Sequence, residues 1–174
     1  MKILAPALPY VVIFGFQTLV AQKITCPKQI MTDFDPQDGE QVGRALEDFG
    51  INLLVSSIHR SVAFFESVFE FGVVSASTDY ALLVFRQRYY QLHADHTYSD
   101  NPLPSLLPET GPRGGGVELR LFDVDPDQAE RRARANDYVV LMETADKPHG
   151  LRECFLLDPD GYCWVPSVKK PTVK

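Results

Sequence analysis

The order of predicted elements occurs twice along the chain, and this repetition constrains the fold more than any other feature of the sequence. Residues 51–57 (INLLVSS) have the branched apolar composition of a β-strand, and the helically spaced segment 59–72 (HRSVAFFESVFEFG) follows them. Residues 117–125 (VELRLFDVD) and the helical segment DPDQAERRARAND repeat this pair. When Ile51 is aligned with Val117, both halves read as a strand, a helix and then three strands. We therefore predict an α+β fold of two tandem βαβββ units.

Each half ends in closely spaced strand segments. In the first half, 80–86 (YALLVFR) and 89–94 (YYQLHA) predict a hairpin, and Ser57 and Gly72 are the expected start and end signals of the helix. In the second half, 138–142 (YVVLM) precedes the hairpin 152–167 (RECFLLDPDGYCWVPS), whose DPDG turn contains Gly161. The second helix is expected to begin at Asp125.

A long connection separates the two halves. Residues 96–115 are rich in proline and end in consecutive glycines, a composition typical of a loop. The predicted domain spans about residues 48–167, with units at about 48–96 and 115–167. Residues 31–47 form a polar lead-in, and residues 168–174 form a basic tail.

The first thirty residues are an apolar extension with three interpretations. The uncharged run 3–22 follows Lys2 and resembles a secretory signal with a cleavage point after Ala21, which would make the protein secreted or periplasmic. The same run could serve as a membrane anchor, the one case in which a membrane is a partner. Alternatively, translation starts at Met31, which favours a cytoplasmic protein.

Charge is distributed unevenly along the chain. The net charge is −6, but residues 1–30 contain only Lys2, Lys23 and Lys28 as charged residues. Residues 31–174 therefore hold the other 14 of the 17 basic side chains against all 23 acidic ones, a charge of −9. An acidic body repels a phosphate backbone, so nucleic acid is not expected as a partner, whereas a cationic small molecule would be attracted.

The duplicated topology and the closing segment LLDPDGYCWVPS resemble the vicinal oxygen chelate superfamily over about residues 48–167. That superfamily contains glyoxalase I, extradiol dioxygenases, fosfomycin-modifying enzymes and bleomycin-resistance proteins. The resemblance implies sheets that curl around a cavity. In the metal-dependent members, a His on the first strand of each unit and a carboxylate or similar ligand on the last strand hold one divalent ion.

The positions that the resemblance assigns to metal ligands carry few donor side chains. They fall on Gly50, Gln91, Gly116 and Val165. A shift of two residues nominates Asn52, His93, Glu118 and Ser167, a set with one imidazole and one carboxylate. We therefore expect no metal and no other cofactor.

Strand alternation predicts which residues share the face opposite the helices, and the resemblance implies that this face lines the cavity. Pairing Leu157 with Tyr162 across the DPDG turn places Arg152 on the face opposite the helices. The predicted ligand-binding cavity then contains Asn52, Tyr89, Gln91, His93, Glu118, Arg120 and Arg152. Among these, His93 and Glu118 are the candidates for an acid–base pair.

The leading functional prediction is a metal-free binding protein similar to the bleomycin-resistance branch. Its ligand would be a small organic molecule, with cations included, and the resemblance implies a homodimer. The alternative is an enzyme. It would be a metal-dependent glyoxalase-like lyase, isomerase or dioxygenase with the shifted ligands, or a metal-free catalyst that uses His93 and Glu118.

Overall fold

The computed structural model describes residues 35–47 and 49–170, so the predictions for residues 1–30 lie outside the described residues. The elements follow one another as α1 (Gly39–Ala45), β1 (Ile51–Val55), α2 (Ile58–Phe69), β2 (Gly72–Ala76), β3 (Tyr80–Phe85), β4 (Arg88–Ala94), β5 (Glu118–Phe122), α3 (Pro126–Ala135), β6 (Val139–Asp146), β7 (Leu151–Leu157) and β8 (Cys163–Lys169). Short 3₁₀ turns at Asp95–Tyr98 and Leu103–Leu106 lie in the connection between the halves.

The strands form two mixed four-stranded sheets of identical topology. Their orders are β1-β4-β3-β2 and β5-β8-β7-β6. The first and last strands of each unit pair in parallel, and the other pairs are antiparallel. This confirms the two predicted βαβββ units. The structure also gives bounds to β2, the strand of the first unit that the sequence did not delimit.

The predicted helix starts are confirmed by side-chain caps. The Ser57 hydroxyl accepts from the Arg60 N–H at 3.4 Å, and an Asp125 carboxylate oxygen accepts from the Asp127 N–H at 2.9 Å. The end of α2 differs from the prediction. Glu70 takes a left-handed conformation with φ 60° and stops the helix, whereas Gly72 already belongs to β2.

Both sheets turn one face toward α2 and α3, and these faces share one core. Phe65 of α2 and the fully buried Trp164 of β8 are in edge contact, with ring centroids 4.9 Å apart. Phe64 meets Tyr138 in the same way, also at 4.9 Å. We call the opposite face of each sheet, which points away from this core, its distal face.

The DPDG turn fixes the connection between the units. One Asp158 carboxylate oxygen accepts from the N–H groups of Asp160 and Tyr162, both at 3.0 Å, and the other accepts from the Trp164 indole at 3.1 Å. Gly161 has φ 82°, and a Cβ there would lie 2.5 Å from Pro112 of the connection. The connection is therefore packed against the turn.

The ends of the described region differ slightly from the predicted boundaries. Helix α1 lies inside the predicted polar lead-in, and β8 continues to Lys169, into the predicted basic tail. Across residues 35–47 and 49–170, the helices are all too short or too polar to cross a bilayer.

Candidate functional site

The first sheet brings four of the predicted cavity residues to its distal face. Asn52 on β1 lies beside Gln91 on the parallel strand β4. Tyr89 and His93 are two residues from Gln91 in either direction, so they point to the same side of the sheet. These four residues of the predicted cavity therefore lie on one surface of the sheet.

A pocket of about 350 Å³ lies between this distal face and α1. Its lining residues are uncharged or, in the case of His93, titratable: Pro36, Gln37, Gly39, Val42, Gly43, Ser75, Ala76, Ser77, Tyr80, Gln91 and His93. A cavity of this size, with an aromatic ring and a few polar groups, is suited to a small organic molecule.

His93 sits between two tyrosine rings. Its imidazole centroid lies 4.8 Å from that of Tyr80 and 5.1 Å from that of Tyr98. Burial lowers the pKa of His93 below the usual histidine range, which favours the neutral ring at neutral pH. Nδ1 lies 3.5 Å from the Thr97 hydroxyl, and Nε2 has no hydrogen-bond partner within the part of the chain that the structure describes.

Gln91 is oriented by a neighbouring phenol. The Tyr80 hydroxyl donates to Gln91 Oε1 at 3.2 Å, and burial raises the pKa of Tyr80 to about 12, so the phenol keeps its proton. With Oε1 engaged, the amide nitrogen Nε2 is the Gln91 donor left for a ligand. On the same face, Asn52 donates to the Tyr98 hydroxyl at 2.5 Å.

Helix α1 covers part of the distal face and was missed by the sequence analysis. Val42 is only 5% exposed, and with Gly39 and Gly43 it lines the pocket. Asp38 caps the helix by accepting from the Gln41 N–H, and the Gln41 amide donates back to Asp38 at 2.9 Å. An Asp followed three residues later by Gln is a helix-start signal that could have revealed it.

Tyr89 lies at a different pocket from His93. A second pocket, of about 290 Å³, is lined by Phe49, Arg88, Tyr89 and Gln91 among others. Gln91 borders both pockets, because the segment that contains α1 crosses the distal face between them. The predicted cavity residues of the first unit are thus divided between two spaces.

Glu118 and Arg120 lie on the distal face of the second sheet, where they form ion pairs. Arg120 donates to Glu118 at 2.8 Å and also to Glu153. The Glu153 side chain is 3% exposed. Although burial opposes ionisation, the hydrogen bond from Arg120 holds its pKa below the usual range. His149 lies 3.4 Å from the same carboxylate. The cluster thus places two carboxylates against one guanidinium.

The predicted register of the last hairpin is wrong by one residue. Leu157 pairs with Cys163 rather than with Tyr162, because the Asp158 side chain and backbone hold Tyr162 inside the turn. The shift moves Arg152 to the opposite face, where it donates to Asp127 of α3 at 2.7 Å. Arg152 is therefore not on the distal face, and Glu153 is there in its place.

The candidate acid–base pair is not assembled in the described residues. His93 contacts Tyr80, Tyr98 and Thr97 on the first sheet, whereas Glu118 is ion-paired with Arg120 on the second. The predicted pair requires Glu118 within hydrogen-bond reach of His93. The contacts of His93 do not include Glu118.

The donor side chains do not fit the metal site that the resemblance describes. Across residues 35–47 and 49–170, no three His, Cys, Asp or Glu side chains are grouped so that they could hold an ion. In the set of positions shifted by two residues, the Asn52 amide is hydrogen-bonded to the Tyr98 hydroxyl, and Ser167 is fully buried on the second sheet. A divalent catalytic site normally needs three converging ligands.

Comparison with known proteins agrees with this topology. The sequence profile of the Glyoxalase/Bleomycin resistance protein/Dioxygenase superfamily matches residues 49–165. No curated protein matches the chain. A glyoxalase/bleomycin resistance protein/dioxygenase family enzyme from Burkholderia phytofirmans PsJN superposes with a TM-score of 0.60 at 17% identity, over 70% of this chain and 97% of the other.

Two further solved structures show the same fold. A glyoxalase/bleomycin resistance protein/dioxygenase from Nocardioides has a TM-score of 0.56 at 19% identity, over 72% of this chain and 84% of the other. Lactoylglutathione lyase from Agrobacterium tumefaciens has a TM-score of 0.50 at 17% identity, over 70% of this chain and 92% of the other. At these identities, the likeness concerns the fold alone.

Proposed function

Because the chain belongs to the Glyoxalase/Bleomycin resistance protein/Dioxygenase superfamily, we propose that it binds a small organic molecule without a metal ion. In this respect it would be closest to the bleomycin-resistance branch. The proposed binding site is the pocket between α1 and the distal face of the first sheet.

One observation carries this proposal. The pocket combines two ring walls, Tyr80 and His93, with two nitrogens, Gln91 Nε2 and His93 Nε2, that have no hydrogen-bond partner among the described residues. Polar groups in an otherwise apolar pocket normally fix the orientation of a ligand. A ligand with an apolar body and an oxygen acceptor would contact the rings and accept from Gln91 Nε2.

The acidic protein as a whole and the uncharged lining of the pocket favour different groups on a ligand. The excess of acidic side chains on residues 31–174 attracts cations over a distance. The pocket itself has no carboxylate in its lining. Recognition inside the pocket therefore rests on hydrogen bonds and ring contacts, and the acidic body would favour a positively charged substituent outside it.

The enzyme alternative has less support. A metal-dependent lyase, isomerase or dioxygenase would need converging ligands, and the side chains at both candidate sets of positions do not supply them. A metal-free catalyst would need His93 and Glu118 in contact, and each has other partners. Binding alone requires neither arrangement.

A homodimer is part of the proposal. Large apolar side chains are exposed on and beside the second sheet, including Phe122 (55%), Val139 (55%) and Leu141 (60%). Leu141 also lines a groove with Val117, Phe155 and Leu157, and an exposed apolar surface is typical of interaction sites. A second copy of the chain is the occupant expected from the resemblance to homodimeric family members.

The test is a ligand screen read by thermal stability and by NMR. We expect that small ring compounds with an oxygen acceptor raise the melting temperature, because a ligand that binds only the folded state stabilises it. His93→Ala and Gln91→Ala should weaken binding at least tenfold. His96→Ala, at an exposed histidine that pairs with Asp79 outside the pocket, is the matched control and should leave affinity unchanged.

Metal binding is tested separately. Protein purified without chelators or metal columns is analysed for its metal content and titrated with Zn²⁺, Ni²⁺, Mn²⁺ and Fe²⁺. We expect no stoichiometric metal and no stabilisation. Stabilisation that Glu118→Gln abolishes would contradict the metal-free proposal and favour the enzyme alternative.

A further inference from the structure

We propose that Gly39 and Gly43 of α1 form a size filter for the pocket, and that the ligand they admit is a flat, uncharged ring bearing an oxygen acceptor. The proposal rests on the proposed function and specifies the ligand class of the same site.

The helix presents one face to the pocket. Val42 and Gly43 come three and four residues after Gly39, so all three lie toward one side of the helix, and all three line the pocket. Glu40 and Arg44 point to solvent, where they form an exposed ion pair at 2.5 Å. The pocket wall formed by α1 is thus one buried valine between two glycines.

Neither glycine is required by the backbone or by close packing. A Cβ at Gly39 or Gly43 would meet nothing within 4 Å, and neither residue has a positive φ. The contrast is Gly161, where φ is 82° and a Cβ would lie 2.5 Å from Pro112. Because glycine is among the poorest helix formers, two such residues in a short helix need another explanation. The open space beside them is that explanation.

The opposite wall defines what fits this space. The Tyr80 and His93 rings and the Gln91 amide face the helix across the pocket. A ring lying along the bare glycine backbone would contact these groups, and its oxygen acceptor would reach Gln91 Nε2. A charged group would have no counter-ion in the lining.

The test compares two probes and three variants. Benzamide and cyclohexanecarboxamide carry the same acceptor on a flat and on a puckered ring, and their dissociation constants are measured from NMR shifts of the Gln91 side-chain amide. We expect the full chain to bind benzamide at least tenfold more tightly. Gly43→Leu should weaken benzamide binding at least tenfold, and Gly43→Ala should have an intermediate effect. Arg44→Leu, which adds a leucine on the solvent side of the same helix, should stay within twofold of wild type.

Stability provides a ligand-free readout. Gly43→Ala and Gly43→Leu should melt at or above the wild-type temperature, since both improve helix propensity and a Cβ at this position meets no neighbour within 4 Å. A lower melting temperature for either variant would show that the space beside Gly43 is occupied by neighbouring atoms. That result would overturn the filter.

The remaining outcomes separate the filter from the proposed function. Equal benzamide affinity in wild type and Gly43→Leu, or tighter binding of cyclohexanecarboxamide by wild type, overturns the filter and leaves binding in the pocket intact. Absence of benzamide binding to wild type, while other compounds of the screen shift the Gln91 amide, overturns the ligand class. If no compound of the screen shifts it, the proposed function itself is contradicted.

Discussion

Arg113 binds both carboxylate oxygens of Asp95, with its two terminal nitrogens at 2.6 and 2.8 Å. One of these nitrogens also donates to the Leu54 carbonyl at 3.1 Å, and Nε lies 3.4 Å from the buried Asp160. A single arginine of the connection therefore ties together β1, the end of β4 and the DPDG turn.

Replacing this arginine should destabilise the protein strongly. Arg113→Ala leaves the buried Asp160 carboxylate without its cation, and we expect a loss of about 3 kcal/mol in the free energy of unfolding. Urea unfolding followed by tryptophan fluorescence measures this loss. Arg134→Ala removes an exposed arginine paired with Glu130 and should cost less than about 1 kcal/mol. Equal losses in the two variants would contradict the role of Arg113.

Asp158 gives the stability a specific pH dependence. Burial raises the pKa of Asp158 to about 6 in the folded protein. A carboxyl group with a higher pKa in the folded than in the unfolded chain stabilises the fold at low pH, and this contribution is lost as the pH rises through about 6. The loss amounts to about 3 kcal/mol for a shift of about two pH units.

The comparison with Asp158→Asn isolates this effect from other carboxyl groups. The variant is less stable throughout, because one amide oxygen cannot replace two carboxylate oxygens that accept from Tyr162 and Trp164. The difference in unfolding free energy between wild type and variant should narrow by about 3 kcal/mol from about pH 4 to about pH 7. A difference that stays constant would show that Asp158 does not titrate in this range.

The turn between β3 and β4 stores backbone strain in two residues that are not glycine. Arg86 and Gln87 both have positive φ, 47° and 66°. Gln87→Gly should raise the free energy of unfolding by about 1 kcal/mol, because glycine adopts this conformation without a steric penalty. Chemical denaturation of the variant checks this value, and an unchanged or lower stability would contradict it.

Arg86→Gly should have the opposite sign, although it relieves the same kind of strain. The Arg86 guanidinium donates to the Phe122 carbonyl at 2.7 Å and to the Asp123 carbonyl, which lie in the second unit. Losing these charge-assisted bonds should outweigh the relief and lower the free energy of unfolding by about 1 kcal/mol. The same denaturation experiment distinguishes the two positions.

The exposed apolar side chains of the second sheet predict self-association. Leu141→Asp places a charge on this surface, so we expect sedimentation velocity to show a dimer for wild type and a monomer for the variant at micromolar concentration. Leu106→Asp changes a leucine that is 79% exposed in the connection, and it should leave the dimer intact. A monomeric wild-type protein would contradict the homodimer.

Periodicity was sufficient to predict the fold because the pattern repeats and its signals are local. The caps at Ser57 and Asp125 and the alternation of β1, β4 and β5 are each determined by a few neighbouring residues. Strand β2 was harder to delimit, since its partly buried residues alternate little between apolar and polar. The stop at Glu70 also had no local signal, because a left-handed glutamate is uncommon.

The site was only partly predictable because it depends on long-range contacts. The alternation of Tyr89, Gln91 and His93 correctly assigned them to one face. It could not show that α1 crosses that face between Tyr89 and His93. In the second unit, one buried side chain, Asp158, lengthens the turn, and β7 therefore turns toward the helices the side chains that were predicted to face away from them.

The aromatic contacts of Trp164 make each half of the chain depend on the other for its core. Trp164 belongs to the last strand of the second unit, yet its ring neighbours Phe65, Phe69, Phe71 and Tyr90 all belong to the first. Either half made alone would leave one side of this cluster in water. We therefore expect the two halves to unfold in one cooperative transition, and either half made alone to be degraded by proteases rather than to fold.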